Sequence, residues 1–253
     1  MPTWPLSDMH THATAYRLAG ARPEMTVASM ARHLESLKCD YAGIVEHLDS
    51  APKHPIRCLE DLVAEFRTVS SSCALYVGAE LDFEGDGISV PSAPRLKESL
   101  GLDYYLAAAH GVGEGITSTR AYIEDHHRRL MGIVEDCPYV DIVAHPWVEA
   151  GKFAERGLIE AWDWSLIPER YLREFVEAAA GCGKAIEVSR KVLPIADDPA
   201  FRAYLGLLCD VGGPVTVASD AHSLTGLGVT TPLTDLLGEA GFGPERLWRP
   251  ERP

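Results

Sequence analysis

Seven short apolar runs along the chain each end on a histidine or a carboxylate, and this recurrence constrains the fold more than any other feature. Runs such as Gly43-Ile44-Val45 are rich in β-formers and read as buried strands. A charged or imidazole side chain at the end of a buried strand is rarely packing material. The runs end at Asp8-Met9-His10-Thr11-His12, Glu46-His47, Glu80, His110, His145, Glu187 and Asp220-Ala221-His222.

Helical patterns alternate with these runs. Apolar residues recur at helical spacing over the ranges 26–38, 58–70, 118–135, 168–180 and 198–211. Strand–helix alternation of this kind is typical of a parallel sheet wrapped by helices. An open doubly wound sheet is the main rival, but it would gather ligands at one crevice rather than over seven strand ends. We therefore predict an α/β fold, a TIM-like barrel with its active site at the carboxyl ends of the strands.

The length of 253 residues suits a single domain over 1–253. The segment 146–167 departs from the alternation, because four large aromatic residues follow His145 directly. It is either a loop that packs aromatic side chains over the barrel or a lid at the substrate site, and both can hold. The four residues are Trp147, Phe153, Trp162 and Trp164.

The charge balance bears on the partner. The chain has 37 acidic and 23 basic residues, a net charge of −14. A surface this negative repels a phosphate backbone, which disfavours nucleic acid and favours a small substrate. No apolar stretch approaches the roughly 18 residues of a membrane span, and the amino terminus lacks the pattern of a signal peptide. We therefore expect no membrane contact and a cytoplasmic location.

Two clusters at opposite ends of the sequence predict a metal site. Asp8, His10 and His12 lie two residues apart, so on a strand all three point to one side, where two imidazoles can chelate one ion. Asp8 would then orient a ligand or assist proton transfer. Asp220 and His222 repeat this spacing, and in a closed barrel the first and last strands are neighbours. The two clusters should therefore meet.

Three further strand ends extend this set. A buried Glu80 without a partner would cost several kcal/mol, so we interpret it as a ligand that bridges cations. His110 and His145 would each alone be core histidines, but as members of the set they are expected to be ligands. Imidazoles mixed with carboxylates suit divalent Zn, Mn or Fe. A centre of this kind makes hydroxide from water near neutral pH and neutralises phosphoryl oxygens.

Taken in order, these motifs resemble those of the PHP (polymerase and histidinol phosphatase) superfamily. The resemblance rests on Asp8-x-His10-x-His12, Glu46-His47, Gly78-Ala79-Glu80, His110, Ala144-His145-Pro146, Ile186-Glu187-Val188 and Ser219-Asp220-Ala221-His222. It covers residue 8 to about 228 and implies a distorted (β/α)7 barrel with two or three divalent ions. By the resemblance one ion is held by His10, His12, Glu80 and Asp220, a second by Glu80, His110 and His145 with Glu80 bridging, and a third by His47 and His222.

The third site is where the sequence departs from the family. Members with three ions carry a further histidine about six residues after the second histidine of the first motif, and that position is Leu18 here. A third ion could be weak, absent, or completed by solvent, by substrate or by another side chain. The sequence thus predicts two to three ions.

Other residues are assigned to the substrate and to the surroundings of the metals. Arg17, Arg190 and Lys191 are candidates for phosphate recognition, since an arginine fork fits a phosphate edge. Glu46 and Glu187 are expected beside the ligands rather than on the metal. His222 or Asp8 would assist proton transfer. We expect four histidines to be surface residues: His33, His54, His126 and His127.

Several functions are compatible with this site. The leading hypothesis is a metal-dependent phosphomonoesterase, similar to histidinol phosphatases, acting on a small phosphorylated metabolite. Alternatives are a phosphodiesterase or exonuclease, and an amidohydrolase-like hydrolase, although the metal-bridging lysine usual in those barrels is missing. From a different class, the chain could be a retired barrel with a regulatory role, which the leucine at position 18 motivates.

Overall fold

Seven parallel strands form a nearly closed barrel within residues 3–13, 23–50 and 54–251, the ranges described by the computed structural model. They are β1 Ser7–His12, β2 Tyr41–Leu48, β3 Ala74–Glu84, β5 Tyr104–Ala108, β6 Ile142–Val143, β7 Ala185–Ser189 and β8 Val215–Ala218, and the short β4 Gly87–Ile88 pairs antiparallel with the end of β3. The strand order β1-β2-β3-β5-β6-β7-β8 follows the chain. This confirms the predicted barrel.

Helices connect the strands and cover the outside of the barrel. In the described ranges they are α1 Val27–Ser36, α2 Ile56–Phe66, α3 Ala93–Leu100, α4 Thr119–Asp136, α5 Ala150–Glu155, α6 Glu169–Gly181, α7 Pro199–Val211 and α8 Thr231–Glu239. Local caps explain where several begin: the side chains of Thr26, Ser118 and Asp198 accept hydrogen bonds from first-turn amides of α1, α4 and α7. None of these helices is long and apolar enough to cross a membrane.

The barrel closes between β1 and β8 by a few bonds. A single isolated bridge pairs Thr11 with Ala221. The amide of His12 donates to the carbonyl of Ala221, and the amide of Asp220 donates to the carbonyl of His10, each at 2.9 Å. The last strand end therefore lies directly beside the first, as the sequence predicted for a closed barrel.

Tyr104 crosses the interior of the barrel. Its buried phenol donates to the carbonyl of Met9 at 2.7 Å. Two glycines on neighbouring strands leave the room it needs: a Cβ on Gly43 would overlap the Tyr104 hydroxyl, and one on Gly78 would lie 2.8 Å from its ring. The barrel interior at the amino ends of the strands is thus filled by side chains, and space for a substrate remains at the carboxyl ends.

The segment 146–167 contains α5 and a short 3-10 helix, Trp164–Leu166. Its aromatic residues pack inward: Trp147, Phe153 and Trp164 are buried. Two polar residues of the same segment, Glu149 and Lys152, line a cavity at the carboxyl ends of the strands. The segment therefore has a packing role, and its action as a lid stays a prediction, as does the single domain over 1–253.

Candidate metal centre

The carboxyl ends of six strands bring the predicted ligands together. β1 carries two histidines, β2 and β3 carry one ligand each, and the other ligands follow β5, β6 and β8 directly. Contacts of 2.9 to 3.7 Å between their nitrogen and oxygen atoms link all of them in one cluster. The members are His10, His12, His47, Glu80, His110, His145, Asp220 and His222.

Glu80 lies at the centre of this cluster, and its two carboxylate oxygens face different imidazoles. Oε1 lies 3.2 Å from Nε2 of His145 and 3.3 Å from Nε2 of His110. Oε2 lies 2.9 Å from Nδ1 of His47, 3.4 Å from Nε2 of His12 and 3.5 Å from Nε2 of His10. A carboxylate divided in this way is placed to bridge two cations.

Asp220 joins the cluster from the opposite side. Its Oδ1 lies 3.3 Å from Nε2 of His12, 3.7 Å from Nε2 of His10 and 3.7 Å from Nδ1 of His222. The Nε2 atoms of His10 and His12 are themselves 2.9 Å apart. Two imidazole nitrogens and a carboxylate oxygen therefore converge on one point, as the ligands of a single ion do.

Four groups of three side chains have ligand atoms within 4.8 Å of one another among the described residues. One lies within the set expected for the first ion, one joins ligands of the first and second ions through Glu80, and a third contains both histidines expected at a third ion. The fourth includes two residues that the sequence did not predict as ligands, Asp49 and His54. The groups are His10–His12–Asp220, His10–Glu80–His145, His12–His47–His222 and His47–Asp49–His54.

The electrostatics of the cluster suit cations. Burial raises the pKa of Glu80, but the charges of His10 and His110 outweigh it and hold this pKa well below the ordinary value. Burial lowers the pKa of His10, yet nearby carboxylates, Glu187 first, raise it well above the ordinary value. Glu80 is therefore ionised, and protonated imidazoles balance its negative charge. Divalent cations could balance this charge in their place. The residues present fit a metal centre.

Two of the predicted ligands sit on left-handed backbone. The φ angle is 28° at His145 and 51° at Asp220, and Trp147 follows with 67°. Positive φ costs a non-glycine residue on the order of 1–3 kcal/mol and persists only where the surroundings impose it. Here it occurs at two strand ends that aim ligands into the cluster. The backbone is thus strained where the side chains must converge.

Carboxylates lie behind two of the ligand imidazoles and hold their ring orientation, and a third contacts the backbone of a ligand. Oε2 of Glu187 lies 2.9 Å from Nδ1 of His10, which leaves Nε2 of that ring for the cluster. Asp82, which the sequence analysis missed, approaches Nδ1 of His110 at 3.3 Å. Glu46 is buried and accepts a hydrogen bond of 3.0 Å from the amide of His47. A carboxylate behind a ligand imidazole fixes its tautomer and raises its basicity.

The sequence predicted that Asp8 points to the same side of β1 as His10 and His12, but its side chain makes other contacts. Its Oδ1 accepts from the amide of Ser219 and its Oδ2 from the amide of Gly228, each at 2.8 Å. The register of β1 against β2 shifts between Asp8 and Thr11, which breaks the two-residue alternation. Burial raises the pKa of Asp8 to about 6. Asp8 therefore positions the loop that carries Asp220, and proton transfer by it stays a prediction.

The cluster opens into a cavity of about 510 Å³. Lys191 lines it, with Nζ 2.5 Å from Oδ2 of Asp220 and 3.7 Å from Oε1 of Glu149. Arg190 is not among the lining residues; it donates to the carbonyl of Gly226 at 3.4 Å, so this position does not support the predicted contact with substrate. Arg17 and Leu18 lie outside the described residues. The lining residues are His47, Asp49, His54, Glu80, Asp82, His110, Glu149, Lys152, Lys191, Asp220 and His222.

Two histidines expected on the surface are buried instead. His54 is 6% exposed and lies at the cavity, and His126 is 4% exposed beneath the loop that follows His145. His33 and His127 are partly exposed. The helical spacing could have predicted that His126 is buried, because His126 lies one turn after Tyr122 on the buried face of α4. His54 lies outside any helix or strand and had no such signal.

Comparison of the sequence with protein-family profiles and with curated proteins gives no match. Solved structures do match. One is histidinol phosphate phosphatase from Lactococcus lactis subsp. lactis, complexed with Zn, L-histidinol and phosphate, with a TM-score of 0.61, 16% identity and 95% of each chain covered. A protein named amidohydrolase II matches with a TM-score of 0.44 and 13% identity, over 93% of this chain and 96% of its own. The chain thus has the fold of histidinol phosphate phosphatase, which confirms at the level of fold the resemblance seen in the motifs.

Proposed function

We propose that the chain is a metal-dependent phosphomonoesterase that acts on a small phosphorylated metabolite. The observation that carries the proposal is the division of the Glu80 oxygens, with Oε1 facing His145 and His110 and Oε2 facing the histidines of β1 and β2. A bridging carboxylate between two imidazole sets suits a pair of divalent Zn, Mn or Fe ions. Such a pair activates water and neutralises the charge of a phosphoryl group.

The side chains around the cavity suit a phosphate monoester. Lys191 and Lys152 place ammonium groups at the wall, and Lys191 is close enough to Asp220 to reach a phosphate bound beside it. The side chain of His222 is 32% exposed, so it can exchange a proton with substrate or solvent. A cavity of about 510 Å³ suits a small molecule.

The matching structure of histidinol phosphate phosphatase suggests which substrate to test first. Histidinol phosphate phosphatase binds L-histidinol and phosphate, so histidinol phosphate is the first specific substrate to test. Glu149 at the cavity wall could pair with the ammonium group of such an amino alcohol. The net charge of −14 makes a polyanion a poor substrate.

The test is a panel assay of the purified protein loaded with Zn²⁺, Mn²⁺ or Fe²⁺. We expect phosphate release from p-nitrophenyl phosphate or histidinol phosphate, and a loss of about 100-fold or more in Glu80→Gln, because that change removes the bridging charge. Glu84→Gln is the matched control, since Glu84 lies on the same strand but outside the cavity.

The panel also includes a phosphodiester and an amide. Turnover of the diester alone would indicate a phosphodiesterase, and turnover of the amide alone an amidohydrolase. Bound metal without turnover of any substrate would favour a regulatory module. Each of these three results would refute the proposed monoesterase.

A further inference from the structure

A group of ligand-type side chains at the edge of the cavity includes two residues that the motif resemblance does not assign to a metal. His47 is near the end of β2, Asp49 follows this strand, and His54 precedes α2. One ligand atom from each lies within 4.8 Å of the others. All three line the cavity, so the group opens to the same space as the cluster around Glu80.

The three side chains are packed against one another and largely sheltered. The rings of His54 and His47 stack with centroids 4.4 Å apart and planes inclined by 16°. Nδ1 of His54 lies 2.6 Å from Oδ2 of Asp49, and their side chains are 7% and 12% exposed. The side chain of His47 is 15% exposed. Two imidazoles and a carboxylate thus meet at a position that remains open to the cavity.

We propose that His47, Asp49 and His54 hold a third divalent cation at the edge of the cavity. Imidazole and carboxylate donors suit Zn²⁺ and similar transition ions rather than Ca²⁺ or Mg²⁺. Around a tetrahedral ion with bonds of about 2.0–2.1 Å, ligand atoms lie about 3.3 Å apart. The contact of 2.6 Å between Nδ1 of His54 and Oδ2 of Asp49 therefore opens by about 0.7 Å on binding, and ligand atoms up to 4.8 Å apart close by at most about 1.5 Å. The stacked rings of His47 and His54 also tilt apart, so that both nitrogen lone pairs aim at the ion. The cation replaces the bond between His54 and Asp49.

The group His12–His47–His222 is a competing place for this ion, since its ligand atoms also lie within 4.8 Å of one another. His12 is already near other ligands, with Nε2 3.3 Å from Asp220 and 3.4 Å from Glu80. The carboxylates beside the competing group are Glu80 and Asp220, which the ions around Glu80 would already engage. Asp49 instead supplies a negative charge of its own, which attracts a further dication. Asp49 and His54 thereby supply ligands in place of the histidine that the family carries where this chain has Leu18. The inference concerns cation binding and does not depend on the proposed hydrolysis.

The test is metal stoichiometry of the full-length protein. The protein is saturated with Zn²⁺, freed of unbound ion by gel filtration and analysed for zinc, and weak binding is followed by titration against a chelating dye. We expect three equivalents for the natural chain and two for His54→Gln and for Asp49→Asn. His33→Gln is the matched control, because His33 lies on α1 outside the cavity, and it keeps three.

Two variants are tested because a folding defect in one of them could be mistaken for the loss of a ligand. Asp49 is more exposed than His54, and Asp49→Asn leaves the side-chain volume nearly unchanged. Circular dichroism shows whether each is folded. A natural chain that binds only two equivalents in both assays would overturn the proposal. So would three equivalents in both variants, or loss of the third equivalent in His222→Gln but not in His54→Gln. Failure of the phosphatase panel with three bound equivalents would leave this inference standing.

Discussion

The Nε2 atom of His126 accepts a hydrogen bond of 3.0 Å from the backbone amide of Trp147. Trp147 has a φ angle of 67° and follows His145, whose φ is 28°. The buried imidazole on α4 therefore holds the strained loop that aims a predicted ligand at Glu80. A nitrogen that accepts a hydrogen bond must be unprotonated. Burial lowers the pKa of His126 well below 6.5, and the charge of Arg129 lowers it further.

This pKa predicts acid sensitivity. Below pH 6.5 the unfolded chain takes up the proton before the folded one, so the free energy of unfolding falls, by up to about 1.4 kcal/mol per pH unit. His126→Gln keeps an acceptor oxygen and removes the titration. Urea unfolding of both proteins from about pH 7.5 to about pH 5 should show a smaller loss in the variant. Parallel curves would contradict the prediction.

Glu187→Gln should weaken metal binding. Its carboxylate lies 2.9 Å from Nδ1 of His10, and loss of such a partner lowers affinity by about 10–100-fold. Chelator competition measures the change. Glu174→Gln is the matched control, because Glu174 makes a similar contact of 3.0 Å with His127, away from the cluster. Equal affinity in both variants would show that Glu187 does not support the ligand.

Asp8→Asn separates positioning from proton transfer. The amide side chain keeps one acceptor oxygen, so the amide of Ser219 or of Gly228 loses its partner and the free energy of unfolding falls by about 1–3 kcal/mol. If Asp8 only positions the loop, the pH profile of kcat keeps its shape. A shift of its acidic limb would instead identify Asp8 as a proton-transfer group.

Lys191→Met should weaken the binding of phosphate. A hydrogen bond to a charged group contributes about 1.5–3 kcal/mol, so inhibition by inorganic phosphate should weaken by about 10–100-fold. Lys38→Met is the control, because Lys38 is exposed and lies outside the cavity. Unchanged inhibition in the Lys191 variant would place phosphate elsewhere.

Two glycine substitutions should have opposite effects. A Cβ on Gly43 would overlap the Tyr104 hydroxyl and lie 2.8 Å from the carbonyl of Met9, so Gly43→Ala should destabilise the barrel by about 1–3 kcal/mol. Gly206 lies within α7 with nothing within 4 Å of its Cβ position, so Gly206→Ala should stabilise by about 0.5–1 kcal/mol. Thermal unfolding distinguishes the two, and a stable Gly43 variant would mean that Tyr104 can move.

The sequence predicted the barrel and the convergence of eight side chains, because ligand-type residues at seven strand ends favour a closed barrel over an open doubly wound sheet. It did not predict the place of Asp8, because the register shift in β1 has no signature in residue type. Asp49 and His54 were missed for a related reason. They lie between β2 and α2, outside any strand or helix, where no periodic pattern links a residue to a position in space.

The way the barrel closes has a consequence for the whole chain. Six of the seven junctions between parallel strands are paired ladders, whereas the seventh, between β1 and β8, has one isolated bridge among the described residues. His10 and Asp220 face each other across that seam. An ion bound by both residues would join the first and last strands of the barrel across this junction. Removal of cations would then weaken the closure of the barrel.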